Sequence, residues 1–481
     1  MEAYGIVLLM VAYFGLLIGV ARLTTKTTSN ATFFTGNRQS PWYIVSFGMI
    51  GASLSGVTFI SIPGSVGASS MAYLQMVLGY FVGYLVVAFG LLPIYYRVQR
   101  VTIYSFLEER FGRTAYKTGA WLFLVSRMIG SAFRLFLVAL VLQQFVFDTI
   151  GWPFWSTTLI TLGLIWVYTY KGGIKTIVWT DTLQTFFLLA AVVWTILLIY
   201  PEVVPAGQTA WDYWKTNPLG RVFFWDQPQA PSFFWKQFVA GIFITISMTG
   251  LDQDMMQKNL TCKSLREAQK NMVWFSVVLM AVNGLFLYLG MLLHDFASIQ
   301  GIQETGDALF PAVALNGYLP PLAAALFVLG LVAAAYSSAD SALAALTTSF
   351  SVDILEVDRM EEAKAVRLRR WVHVGTTLAM AVVIVMFRSI TDDSVVNGVF
   401  KAAGYTYGPL LGLFSFALFT QRGLRTWSAP VSALASPLLT YWIQANSVDW
   451  WGYAFGFELI LLNGLLTWLL LFAGSVRKSA A

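Results

Sequence analysis

Thirteen long apolar runs, separated by short joints carrying charges, prolines or glycines, leave this chain few ways to fold. They lie near residues 4–23, 43–66, 72–96, 118–147, 152–170, 176–200, 232–253, 271–294, 319–352, 371–387, 395–420, 427–446 and 454–474. Most approach the ~20 residues that one helical crossing of a bilayer needs. In hydrocarbon a backbone must satisfy its own polar groups, so each run is expected as an α-helix. Composition agrees, since 57% of the 481 residues are hydrophobic and 11% are charged, against roughly 25% charged in soluble domains. No joint is long enough to link a separate soluble domain, so the expectation is one all-α, polytopic membrane domain over residues 1–481.

The basic residues orient it. With the N-terminus outside, 23 of the 30 Lys and Arg fall on the cytoplasmic side, Lys215, Arg221, Lys236 and Arg388 fall outside, and Arg127, Arg134 and Lys401 lie within predicted spans. Cytoplasmic loops collect Lys and Arg, so the pattern predicts a multi-pass protein of the cell inner (plasma) membrane with a cytoplasmic C-terminus. The opening MEAYG lacks a basic n-region, and the first run reads as a retained span. A net charge of +6 would suggest nucleic acid in a soluble protein. Here loop placement accounts for it, so the expected partners are the lipid bilayer and small cargo, with no nucleic acid and no obligatory protein partner. One cysteine and two distant histidines, His294 and His373, exclude a disulfide framework and a zinc site. No nucleophile–base pair or cofactor loop appears, so the chain is not read as an enzyme. The outside loop near 201–231, with Trp211, Trp214 and Trp225, either caps the outer face or joins an interfacial aromatic belt.

Charges within the predicted spans are few and expensive, at least ~2.5 to 3.5 kcal/mol each at mid-depth, which makes them functional candidates. Asp181 lies in the sixth span, Asp340 deep in the ninth and Arg134 near the middle of the fourth. In the ninth span Ala334, Ser337, Ser338 and Ser341 share one helical stripe with Asp340 at its edge. Hydroxyls and carboxylates are hard oxygen donors suited to ions such as sodium; the alternative is that Ala and Ser here only let helices pack closely. The second span carries Gly48-Met-Ile-Gly-Ala-Ser-Leu-Ser-Gly-Val-Thr58 and the seventh carries Thr245-Ile-Ser-Met-Thr-Gly250. Both are weak helix formers. Interrupted segments at corresponding places in two halves point to an inverted-repeat transporter, with spans 2–6 and 7–11 as the halves.

These residues resemble the sodium:solute symporter family over essentially the whole chain. The likeness rests on Gly51-Ala-Ser-Leu-Ser-Gly-Val-Thr-Phe59, on Lys171-Gly-Gly-Ile-Lys-Thr-Ile-Val-Trp-Thr-Asp-Thr-Leu-Gln184, on the Ser337-Ser-x-x-Ser341 cluster and on Gly404-Tyr-Thr-Tyr-Gly-Pro409. The resemblance implies a LeuT-type five-plus-five fold of 13 transmembrane helices. An extra helix (4–23) would precede the first repeat (43–200), and two helices (427–474) would follow the second (232–420). It implies Na+ as the required ion, with a main site from the carbonyls of Gly51, Leu54 and Ala334 and the hydroxyls of Ser337 and Ser338. Some members hold a second sodium at positions matching Asp181, Ser337, Asp340 and Ser341, where an aspartate at 340 departs from the family pattern. By alignment the solute would meet Ser53, Ser55, Thr58, Gln75 and Arg134. In sialic-acid transporters an arginine in this region pairs with the substrate carboxylate, and a guanidinium suits that task; alternatively Arg134 neutralises Asp181 or Asp340. The expected function is sodium-coupled uptake of a small organic acid or acidic sugar such as sialic acid by alternating access. A neutral-sugar, polyol or amino-acid symporter and a proton-coupled carrier of the same fold are the competing readings.

Overall fold

The computed structural model describes residues 3–24, 29–98, 100–148, 151–388 and 395–477. Lys26 and Lys478, counted above as cytoplasmic, lie outside the described residues. The molecule is mostly helical. In chain order its principal helices are α1 (Ala3–Thr24), the broken pair α2 (Trp42–Ser53) and α3 (Gly56–Ser69), α4 (Tyr73–Val98), α5 (Arg113–Leu142), α6 (Phe154–Gly172) and α7 (Ile174–Val203). A second broken pair follows, α8 (Phe234–Gly250) and α9 (Gln253–Asn259), then α10 (Leu265–Gln300), α11 (Pro321–Ile354), α12 (Glu362–Phe387), α13 (Val395–Phe419), α14 (Ser428–Trp451) and α15 (Leu459–Ala473). A two-residue antiparallel ladder pairs Gly423–Leu424 with Ser475–Val476, and an isolated parallel bridge joins Ser40 to Cys262.

Among the described residues, length and apolarity alone give seven crossings, or nine if each broken pair counts as one, where thirteen were expected. The four that fall short are α1, α6, α14 and α15; α15, for one, has 15 residues that reach roughly 22 Å across a layer ~30 Å thick. The seventh run was expected to end near residue 253; instead its helix bends and continues as α9 to Asn259.

Helix α11 is the hub. Almost every residue from Ala323 to Ser349 is buried, and its Ala, Ser and Gly side chains let neighbouring backbones come close. Helices α7, α5, α2 and α12 all pack against it.

Both breaks are sharp, 58° between α2 and α3 and 69° between α8 and α9. At the first, Leu54 (φ −82°, ψ 77°) and Ser55 (φ −73°, ψ 174°) leave the helical region. Glycine is demanded there by close packing: a Cβ at Gly51 would lie 2.2 Å from Thr185 Oγ1 on α7, and one at Gly56 would lie 2.3 Å from Val138 Cγ2 on α5. At the second, Asp252 is extended and its carboxylate caps α9 through the Asp254 N–H at 2.9 Å.

The long loop between α7 and α8 is tied down at two places. Gln75 of α4 accepts from the Phe224 N–H at 3.0 Å and donates to the Ser232 carbonyl at 2.9 Å. Asp295 of α10 accepts from Tyr213 Oη and, at 2.6 Å, from Asn217 Nδ2. At the opposite end of the molecule the single cysteine, Cys262, is buried just beyond α9, where Tyr96 Oη donates to its carbonyl at 3.1 Å.

Candidate sodium and solute site

The two helix breaks differ in how their backbone is satisfied. At the second, Tyr95 Oη donates to the Gly250 carbonyl at 2.8 Å and Tyr104 Oη to the Leu251 carbonyl at 3.1 Å. At the first, the Leu54 N–H closes on the Ile50 carbonyl at 2.8 Å. Among the described residues no N–H or O–H donates to the freed carbonyls of Gly51 and Leu54. Helix α11 packs against both α2 and α3, and its Ser338 hydroxyl is buried with no hydrogen-bond partner. Unsatisfied buried oxygens cost about 1–3 kcal/mol each. Carbonyl and hydroxyl oxygens are donors suited to a hard cation, and no cluster of three or more His, Cys, Asp or Glu is present among the described residues.

One turn further along α11 the polar residues converge. Asp181 accepts from Ser337 Oγ at 2.6 Å through one oxygen, and from Lys258 Nζ at 2.7 Å and Ser341 Oγ at 3.5 Å through the other. Asp340 accepts from Tyr168 Oη of α6 at 2.7 Å and from Ser341 Oγ at 3.2 Å. All of these side chains are buried. The four residues expected around a second ion therefore do meet. Lys258 was counted above with a cytoplasmic loop; it is instead buried on α9, because that helix carries it back under the bundle. The only advance sign of it is the compact charge pattern Asp252-Gln-Asp254-x-x-x-Lys258, too dense for a plain loop.

A cavity lies beside the first break. Its volume is about 110 Å³, and its wall includes Ser53, Ser55, Thr58 and Arg134. Gln75 is not in this wall, contrary to expectation: its amide is used up by the outer loop and by the Ala72 carbonyl. In its place α4 contributes Tyr73, Tyr80 and Tyr84, whose seven- and four-residue spacing puts them on one face. Asn283 of α10, Thr245 and Thr249 of α8 and a second arginine of α5, Arg127, complete the polar lining.

Arg134 of α5 stands on the cavity wall. Its neighbour on the same helix, Arg127, pairs with Asp254 and lies 3.7 Å from Asp252, which also accepts from Tyr407 Oη at 2.5 Å. Asp181 is taken by Lys258, and Asp340 by hydroxyls. Arg134 neutralises neither, and among the described residues its guanidinium has no hydrogen bond or ion pair.

The model of the sodium:solute symporter family matches residues 33–426. The chain belongs to that family. This symporter-family chain is 24% identical over 433 residues to the human sodium/iodide cotransporter, covering 86% of itself and 65% of that protein. It is 23% identical over 481 residues to a sodium/sialic acid symporter of Aliivibrio fischeri, covering 95% of itself and 91% of the relative. Among solved structures, a substrate-bound, outward-open sodium-coupled sialic acid symporter superposes with a TM-score of 0.82 at 18% identity, over 99% of both chains. That likeness carries the fold.

Proposed function

We propose that this symporter-family chain couples sodium entry to uptake of a small solute bearing a carboxylate, by alternating access in the plasma membrane. The reading includes 13 crossings arranged as two five-helix units, each opened by a broken helix, with the N-terminus outside and the C-terminus cytoplasmic. The observation that carries it is Arg134, a guanidinium on the wall of the cavity that makes no ion pair of its own, the nearby Asp252 and Asp254 being engaged by Arg127. A charge in such a place is expensive unless a partner arrives, and a carboxylate is the partner whose geometry a guanidinium matches. The names of relatives are consistent with an acidic sugar such as sialic acid or a simpler organic acid.

Sodium would enter the oxygen set of Gly51, Leu54, Ala334, Ser337 and Ser338, joining the first break to α11. The neighbouring cluster holds two carboxylates, Asp181 and Asp340, and one ammonium, Lys258. With both carboxylates ionised the cluster would be one positive charge short, which a second sodium would supply; a proton on Asp340 would supply it equally. With two sodium ions and a monoanion moving together, one net charge crosses per cycle. That supplies about 2.3 kcal/mol per 100 mV, roughly 40-fold accumulation at ~1.4 kcal/mol per decade, before the sodium gradient is added.

The test is uptake by proteoliposomes from a labelled panel of sialic acid, short monocarboxylates, proline, glucose and inositol, with sodium or choline outside and the sodium-to-solute flux ratio recorded. Sodium-dependent uptake of an acid, lost on Arg134→Ala, is the expected result. Sodium-driven uptake of a neutral solute that survives Arg134→Ala would move the reading to the sugar, polyol and amino-acid class. Uptake driven by a pH gradient without sodium would overturn it.

A further inference from the structure

One helix stripe outside the transport site is left unexplained by that function. Along α5 the residues Arg113, Lys117, Trp121 and Val125 recur every four positions and so lie on one face. Two grooves flank this stripe. One, of about 660 Å³, runs between α5, α13 and α14 and is floored by Leu122, Pro409, Pro430 and Leu434. The other, of about 450 Å³, runs between α5, α11 and α12 past Met128, Leu346 and Val372. Trp121 and Val125 line both and form the ridge between them, each 49% exposed. No acidic residue lines either groove, and the basic ones, Arg113 and Lys117, sit together at the end of the first.

We propose that these paired grooves hold a phospholipid with an anionic headgroup, its two acyl chains astride the Trp121–Val125 ridge and its phosphate on Arg113 and Lys117. The inference rests on the chain being an integral membrane protein and not on which solute it carries. Three observations select this occupant. The grooves are apolar and paired, as two acyl chains are. From Arg113 to Val125 is twelve residues of helix, about 18 Å, close to the ~15 Å depth of one leaflet. The basic pair at the mouth shares one carboxylate: Glu356 accepts from Arg113 and also holds Lys117 at 3.3 Å and Arg359 at 2.9 Å, while Glu108, Glu109 and Asp358 line the neighbouring cavity and neither groove. Together the three cations hold Glu356 below the usual carboxylate range. Arg113 and Lys117 are the only charged residues lining the grooves among the described residues, and basic pockets between membrane helices recognise anionic headgroups.

The experiment follows the thermal unfolding of the purified full chain in neutral detergent, titrated separately with phosphatidylglycerol, phosphatidylcholine and glycerol phosphate. Phosphatidylglycerol is expected to stabilise half-maximally at about tenfold lower concentration than phosphatidylcholine, and glycerol phosphate to do nothing at matched concentration. Arg113→Gln with Lys117→Gln, both at exposed or half-buried positions, should erase the preference. Glu356→Gln, which releases the two cations, should enlarge it, and Trp121→Ala should weaken both lipids alike. Lys364→Gln with Arg367→Gln, basic residues that line neither groove, should leave the preference intact. Equal response to the two lipids would overturn the proposal, as would a preference that survives Arg113→Gln/Lys117→Gln or a Glu356→Gln effect of the same sign. A dimer that dissociates on Trp121→Ala and ignores headgroup charge would overturn it in favour of a second copy of this chain.

Discussion

At the scale of single side chains, the site divides into groups that already have partners and groups that wait for one. Ser338 and Arg134 are the waiting groups. Removing the bare hydroxyl by Ser338→Ala should raise the sodium concentration for half-maximal uptake by about fivefold to thirtyfold, the equivalent of about 1–2 kcal/mol, with the solute KM at saturating sodium little changed. Arg134→Gln should act on the other axis, raising the solute KM by tenfold or more, since hydrogen bonds to charged groups contribute about 1.5–3 kcal/mol. Lys258 belongs to the satisfied set. Lys258→Met leaves Asp181 buried without its cation and is expected to destabilise by about 3–5 kcal/mol, read as a drop in unfolding temperature; adding Asp181→Asn should restore much of it. Asp181, Asp340 and Arg134 were legible in the sequence because a charge inside an apolar run stands out. Lys258 was not, because beside a run of apolar residues a lysine reads as the first residue of a loop. Gln75 was misplaced for a related reason: alignment places a residue on a helix, but the Phe224 and Ser232 backbone that claims its amide lies about 150 positions further along.

At the scale of elements, both breaks were foreseeable, since glycine and hydroxyl residues replace leucine where a plain span needs none of them. What the residues did not disclose is that the breaks are unequal. Tyrosines 95 and 104 belong to other parts of the chain, and only the folded molecule brings them to the carbonyls of the second break. The first break is held by close packing instead. Gly51→Ala, whose new Cβ would meet Thr185 Oγ1 at 2.2 Å, should prise α2 from α7 at a cost of about 1–3 kcal/mol and weaken sodium binding. Thr185→Ala in the same chain should recover part of the loss. Recovery of unfolding temperature without recovery of sodium affinity would show that the oxygen set had been displaced for good. The full number of crossings was harder to reach than the breaks. A run such as α15 is apolar throughout yet only 15 residues long, so neither sequence nor helix length decides how it meets the bilayer.

For the whole molecule, the loop pinned by Gln75 and Asp295 and the tuck formed by α9 lie beyond opposite ends of α10, and the proposed alternating access predicts that they loosen in turn. A ligand shifts such an equilibrium only as far as its affinities for the two states differ, typically 5- to 150-fold. Cys262 lies in the tuck, directly after α9. Its alkylation by a membrane-permeant maleimide should slow by about tenfold in sodium relative to choline, measured as the rate of mass addition to the intact protein. An unchanged rate would mean that sodium does not hold this end shut. Because the sequence holds a solitary thiol and that thiol is buried, every label it accepts records a moment at which this end has come apart. Counting such moments in different ions would clock the event with no engineered background to exonerate first.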